Sequence, residues 1–437
     1  MCLKSDLECN LINKNLFHLK ILCNFGAIMK KAISLTLLIA LFSLLSIGQS
    51  NKVITGAERM EVYLPMLKGK SVAVFANQTS VVGNTHLVDT LVKSGIKVVK
   101  IFGPEHGFRG VADAGEHVKD GIDTKSGLPV ISLYGNHKKP TLDDLKDVDV
   151  VVFDIQDVGV RFYTFISSLE YVLEACLENH KPLLVLDRPN PNGFYVDGPV
   201  LDKKFKSFIG MQPIPIVYGM TIGEYTLMLA GEKWLSENAN KINTYNATTK
   251  PTADTPFHVQ VIKCKNYDHN TKYILPINPS PNLREMQSIY LYPSTCFFEG
   301  TVLSEGRGTD KPFQIFGHPS LPKNLFAFTP MPNEGAKSSK CFNQLCYGWN
   351  LSGTKEEVLK NLNGKIQLKY LIEAYKLFPK KDSFFLTNNF FNKLAGNDVL
   401  MKQIKAQKTE KEIKKSWEKD LIKFKVIRKK YLLYKDF

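Results

Sequence analysis

The sequence lacks the short signatures that would assign a chemistry at once. No GxGxxG follows its first apolar run, so nothing indicates a dinucleotide. No GxSxG elbow is present, which leaves serine-hydrolase chemistry without its nucleophile turn. His86, His106, His117 and His137 are spread through the first half, but no two stand in HExxH or HxH spacing. Cysteine is scarce: Cys2, Cys9 and Cys23 fall near the start, and the remaining five contain no CxxC pair. A disulfide framework is therefore excluded, although Cys341 and Cys346 are spaced to bridge a hairpin. No lipobox cysteine follows the early apolar run, so lipid anchoring has no support. Nucleic-acid modules are absent as well. The net charge of +15 comes largely from a tail in which thirteen Lys and Arg face five acids after residue 400. That pattern reads as a solvated helix face, with nucleic acid not expected as a partner.

What is present is globular. The 437 residues are 44% hydrophobic, 11% aromatic and 23% charged, enough for two or three domains with a sizeable core. "MKKAISLTLLIALFSLLSIGQS", from Met29, has a basic start, an apolar centre and small residues at its end. This is the tripartite pattern of a secretory signal, and its apolar run is short for a membrane span. We therefore expect residues 1–28 to be an upstream extension, 29–50 a signal peptide, and the mature chain to begin near Ser50. The expected location is the periplasm or the medium, with no stable membrane insertion after cleavage.

From Lys70 the chain alternates apolar runs with amphipathic stretches. "SVAVFANQT", "KVVKIFGPEHG", "LPVISLYG", "VDVVVFDIQDVG" and "KPLLVLDRPNPNG" read as buried strands, about five in all. Continuous apolar strands separated by helices argue for an α/β fold with a mostly parallel, Rossmann-like sheet. "PIPIVYGM" reads as a further strand, and Thr221 with Glu224 as the capping box of the helix after it. "INPSPNLREM" reads as a junction, which puts one domain at 51–285 and a second at 286–437. Residues 367–437 are helical by pattern and end in one Lys-rich amphipathic helix.

The loops after the strands carry the polar residues: Asn77, Glu105 and His106, Asp154 and Asp157, Arg188 and Asn190. Ligands of open α/β sheets bind outside the carboxyl ends of the strands, so these loops read as one site. Glu105 follows an apolar strand directly, where low-dielectric surroundings would hold a carboxyl neutral, and Asp154 and Asp157 are natural partner carboxylates. Arg109 and Arg161 suit a substrate carboxylate. An internal ion-pair cluster of Glu105, Arg109, Asp157 and Arg161 is the structural alternative. Glu224 is equally well explained by its helix cap, and Asx residues by turns. A metal-dependent hydrolase, with Asp154 and Asp157 beside the histidines, is the rival chemistry. A sugar-binding protein that does no chemistry is the other rival.

Six stretches in order carry a resemblance: "FGPEHGFRG", "DIQDVGVRFYT", "LDRPNPNG", "YGMTIGE", "NPSPNL" and "EGRGTDKPF". Together they resemble the NamZ-type exo-β-N-acetylmuramidases, a bacterial glycoside hydrolase family acting on cell-wall sugars. The resemblance implies a Rossmann-like N-terminal domain, a smaller C-terminal α/β domain and an active site in the cleft between them. It implies release of N-acetylmuramic acid from the non-reducing ends of peptidoglycan disaccharides or muropeptides, without a metal or other cofactor. It places the family's catalytic glutamate on Glu105, with His106 shaping the site. Within these motifs Tyr163, Arg188, Asn190, Glu224, Asn282 and Arg307 become candidate substrate contacts, beside Asn77, Arg109 and Arg161. Arg109, Arg161, Arg188 and Arg307 are the candidates to read a lactyl carboxylate. Two positions depart from the family pattern: Tyr218 stands where a histidine is expected, and Arg284 where a proline is expected.

Overall fold

Strands rich in Val, Ile, Leu and Phe on both faces cannot leave either face wet, and this chain buries them under helices on both sides. In the computed structural model, which describes residues 52–105, 107–109, 120–243 and 259–437, seven strands form one sheet. They are β1 (Ser71–Ala76), β2 (Lys97–Gly103), β3 (Gly121–Ile122) and β4 (Pro129–Ser132). β5 (Val150–Asp154), β6 (Leu183–Leu186) and β7 (Val259–Ile262) complete it. Their order is β3-β4-β2-β1-β5-β6-β7, and β3 alone of the seven runs antiparallel, at the edge. Val74 pairs with Ile101 on one side and Val152 on the other. The connection reverses direction between β1 and β5, as in a doubly wound Rossmann-like sheet.

Alternation along β1 and β5 sends neighbouring residues to opposite faces. Val72, Val74, Val150 and Val152 pack with the helix Leu87–Lys93, whereas Ala73, Phe75, Val151 and Phe153 pack with the helix Phe165–Glu178. The second core continues into the C-terminal half through Tyr292, Phe297 and Phe391, and residues 53–437 form one compact unit. That half opens with the helix Met286–Thr295 and contains an antiparallel sheet in the order Ile315–His318, Cys346–Asn350, Phe326–Phe328. Cys176, Cys264, Cys296, Cys341 and Cys346 are free thiols. Among the described residues no helix is long and apolar enough to cross a membrane, and the leader pattern lies outside them.

Three elements differ from expectation. Val259–Ile262 extends the sheet, whereas the "PIPIVYGM" stretch makes only isolated bridges from Val217 to Val160 and Asp197. Proline at 213 and 215 removes alternate ladder donors there, so a regular strand cannot form. The terminal amphipathic stretch breaks near Ser416 into Glu410–Lys415 and Glu418–Lys429. Beyond it the chain end returns to the sheet. Tyr434 donates to Asp187 at 2.6 Å, the Leu433 amide to Glu224 at 2.7 Å, and Arg428 to the Gly219 carbonyl at 2.6 Å.

Two buried charges generate stability predictions. Arg161 is fully buried and donates to the carbonyls of Pro199, Ile214 and Leu394 at 2.8, 2.7 and 2.9 Å. Arg161→Met strands those acceptors and should lower the unfolding free energy by about 3 kcal/mol, read from urea melts; an unchanged midpoint contradicts this. Glu170 is equally buried, accepts from Gln212 at 2.6 Å, and is pushed up to about 8 by burial. Its folded pKa exceeds the ordinary value of 4.5, so the native state keeps a proton that the unfolded chain has released. Stability from this group is therefore full at low pH and lost as pH rises toward 8. Asp157 and Asp187, pushed up to about 6 by burial, act with the same sign at lower pH, and His86, pushed down to about 4 by burial, with the opposite one. Between about pH 6.5 and about pH 8.5 the loss belongs mainly to Glu170, and Glu170→Gln should flatten it in denaturant melts.

Candidate active site

The loop after β2 is shaped to present one carboxyl. Gly103 ends the strand where an added Cβ would sit 3.3 Å from the Phe108 amide. Gly107, at φ +76°, donates back to the Pro104 carbonyl at 2.9 Å and closes a turn over Glu105. This left-handed conformation favours glycine. Glu105 then accepts from Tyr134, after β4, at 3.0 Å and from Thr164, after β5, at 2.9 Å. Thr164 occupies the N-cap position of the helix Phe165–Glu178, yet its hydroxyl makes no cap bond and goes to Glu105 instead. Burial, and Glu105 next, push the Tyr134 phenol above its usual range, so it stays protonated and donating.

These groups open into a cavity of about 460 Å³. One wall is aromatic: Phe162 meets Tyr292 edge-on at 5.3 Å, and Tyr292 meets Phe313 at 4.8 Å. Tyr163 lines it too and donates to the Pro279 carbonyl at 2.8 Å, fixing the 279–283 segment against the sheet. The other wall is charged. Arg307 bonds Glu299 at 2.6 Å and lies 3.4 Å from Glu305, and Lys340 lies 2.8 Å from Glu305. A second cavity, of about 510 Å³, shares Ser280 with the first and is lined by Gln78, Arg284 and Glu334.

Of the residues singled out in the sequence, Glu105, Tyr163 and Arg307 line the first cavity together. The others among the described residues lie elsewhere, each with an internal partner. Asp154, expected as a partner carboxylate, is fully buried in a two-point pair with Arg188 at 2.5 and 2.8 Å, which takes Arg188 from the substrate as well. Asp157 accepts from the Gly159 amide at 2.6 Å and from the Tyr218 hydroxyl. Tyr218, the departure from the family motif, is thus the buried donor to that carboxylate. Arg161 is locked on its three carbonyls, and Arg109 on Asp123 at 2.8 Å, so the ion-pair cluster weighed from the sequence does not form.

Asn77 accepts from Thr79 at 2.6 Å, Asn190 donates to the Met220 carbonyl at 2.7 Å, and Asn282 to the Gly335 carbonyl at 2.6 Å. Glu224 closes the capping box with Thr221 and also meets His269 at 3.1 Å. The switch point between β1 and β5 is therefore plugged by side chains, and the cavity lies toward β2 and β4. His106 and His117 fall outside the described residues. Among the described residues no group of three or more His, Cys, Asp or Glu is arranged to hold a metal ion.

Sequence reasoning passed over Tyr134, Thr164, Glu299, Glu305 and Lys340. The glycine-rich charged stretch 299–313 was a visible signal for Glu299 and Glu305. Lys340 carries none, because its partner stands 35 positions earlier.

Family comparison covers nearly all of this architecture. The model for exo-β-N-acetylmuramidase NamZ, N-terminal, matches residues 72–287, and that for its C-terminal part matches residues 290–434. A peptidoglycan β-N-acetylmuramidase, NamZ of Bacillus subtilis strain 168, is 38% identical over 406 residues, which are 88% of this chain and 92% of that protein. A crystal structure of a DUF1343 family protein from Bacteroides fragilis is 47% identical, with a TM-score of 0.78 over 89% of this chain and 100% of that one. A second DUF1343 structure from the same organism is 27% identical, with a TM-score of 0.70 over 88% and 99% of the two chains. With both halves matched in order and the sheet, the PEHG turn and the cavity joined in one unit, the chain belongs to the NamZ exo-β-N-acetylmuramidase family.

Proposed function

We propose that the protein is an exo-acting glycoside hydrolase that releases N-acetylmuramic acid from the non-reducing ends of peptidoglycan fragments. The observation that carries this reading is Glu105, a carboxyl aimed into a half-aromatic cavity by a glycine turn and two hydroxyl donors. Phe162, Tyr292 and Phe313 offer the apolar face that a pyranose ring packs against. Glycoside cleavage needs a proton on the leaving oxygen as oxocarbenium character develops, and Glu105 is the group suited to deliver it. Arg307 is the arginine of the four candidates that lines the cavity, so it is our choice to read the lactyl carboxylate. Lys340 is committed to the Phe298 and Thr301 carbonyls and to Glu305. We further infer that the enzyme acts outside the cytoplasm, on the strength of the leader pattern from Met29.

The test is hydrolysis of a chromogenic β-N-acetylmuramide beside the matching glucosaminide, with preference for the muramide expected. Glu105→Gln keeps the shape but cannot donate a proton, so turnover should fall by roughly 10²–10⁴-fold with folding intact. An aryl substrate with a very good leaving group should be partly spared; full activity on both substrates sinks the reading. Arg307→Met should reduce the muramide-over-glucosaminide ratio by about ten- to a hundred-fold. Because a ratio cancels any common loss of turnover, an unchanged ratio removes Arg307 as the carboxylate reader.

A further inference from the structure

Most glycoside hydrolases divide the work between two carboxyl groups, and Asp154 and Asp157, the partners expected from the sequence, are both buried and bonded to internal groups. The cavity nevertheless contains further carboxyls, Glu299 and Glu305. Glu305 stands on a bonded loop. The Phe313 amide donates to its carbonyl at 2.8 Å, and the neighbouring Ser304 exchanges two backbone bonds with Gly317 at 2.8 and 3.0 Å. Gly306 follows at φ +84°, where an added Cβ would lie 2.7 Å from the Ile315 carbonyl oxygen. These contacts fix the backbone from which the Glu305 side chain projects. Each carboxyl oxygen has its own cation: Oε1 faces Arg307 at 3.4 Å, and Oε2 faces Lys340 at 2.8 Å. Lys340 in turn is anchored on the carbonyls of Phe298 and Thr301 at 2.7 and 3.0 Å.

Resting on the glycosidase reading, we propose that Glu305, clamped between Lys340 and Arg307, is the second catalytic carboxylate, acting at the anomeric carbon while Glu105 serves the leaving oxygen. Burial works to raise the pKa of Glu305, but Lys340 and then Arg307 lower it on balance, so the group is held as an anion, the form a nucleophile or base requires. In the step, the bond from the anomeric carbon to the glycosidic oxygen breaks and its electron pair goes to that oxygen. The oxygen takes the Glu105 proton. The electron-poor carbon is met by an electron pair from Glu305, or from a water that passes its proton to Glu305. Where Glu305 itself bonds the carbon, a water that gives its proton to Glu105 then displaces it, breaking the bond to Glu305, so that by either route water is the net reactant. Lys340 is a positioning residue: two of its donors go to backbone carbonyls, and its charge lies 2.8 Å from Glu305.

The experiment compares Glu305→Gln, Glu299→Gln and Glu105→Gln in the full-length enzyme on the same muramides. Glu305→Gln should lose at least about 10²-fold in turnover on aryl and natural substrates alike, unlike Glu105→Gln, which spares the good leaving group. Azide should restore turnover to Glu305→Ala as a glycosyl azide. Lys340→Met supplies a readout that a fold defect would not give. The titratable and charged groups facing Glu305 are Lys340 and the Cys341 thiol from one segment, Arg307 from its own loop, and Glu299 beyond Arg307. Removing the Lys340 charge lets Glu305 protonate at higher pH, so the low-pH limb of kcat/KM should move up by about one unit or more. Near-wild-type turnover by Glu305→Gln overturns the assignment, as does loss confined to Glu299→Gln or an unmoved pH limb. A wild type that cleaves no muramide overturns the glycosidase reading itself, which keeps the two failures distinct.

Discussion

A single guanidinium, that of Arg161, joins three distant stretches of backbone out of reach of water. By holding the carbonyls of Pro199, Ile214 and Leu394 it ties the loop after β5 to a strap from the middle of the chain and to a helix near its end. The same loop continues directly into Phe162, Tyr163 and Thr164, which supply a ring of the aromatic wall, the tie to Pro279 and a donor to Glu105. Moving that loop would therefore shift three cavity groups at once. A neutral side chain of similar length could fill the space but could not satisfy three acceptors, which is why a charge is kept where its desolvation is costly.

The sheet edge shows how one topology can lend itself to a site without providing it at the expected spot. Doubly wound sheets open a crevice where the connections reverse, here between β1 and β5. In this chain that crevice is filled by a polar lattice: Thr79 bonds both Asn77 and the Gln156 amide, and Arg188 grips Asp154. Filling it makes a rigid floor. The groups lining the cavity are then supplied by the adjoining strand ends on one side and by the 299–307 segment of the C-terminal half on the other. Neither half carries the full set of charged and aromatic groups.

Much of the sheet could be read from the residues because a parallel strand buried on both faces leaves a continuous apolar run, as in "VVVF" before Asp154. Val259–Ile262 was less legible: it is short, interrupted by Gln260, and sits at the edge. The site was legible where geometry is local. Gly103-Pro104 and Gly107 bracket Glu105 within five positions, and such a turn announces itself. It was illegible where partners meet from afar. A buried arginine and a cavity-lining arginine have the same sequence signature, so Arg161, Arg188 and Arg307 could not be told apart. Only the pairing across 34 positions shows that Arg188 belongs to Asp154, and only the fold brings Lys340 to Glu305.

The docking of residues 428–436 onto the first sheet has a consequence for how the chain is made. Asp187 is set at the end of β6 among Thr221, Gly223 and Tyr434, and the last of these leaves the ribosome nearly 250 residues after the carboxyl it satisfies. Until then the nascent sheet exposes a carboxyl shaped for a partner that does not yet exist, and Glu224 lacks the Leu433 amide. Final closure of the N-terminal half thus waits for the synthesis of residues 428–436. A chain cut short before residue 428 lacks the contacts that seal its own first domain.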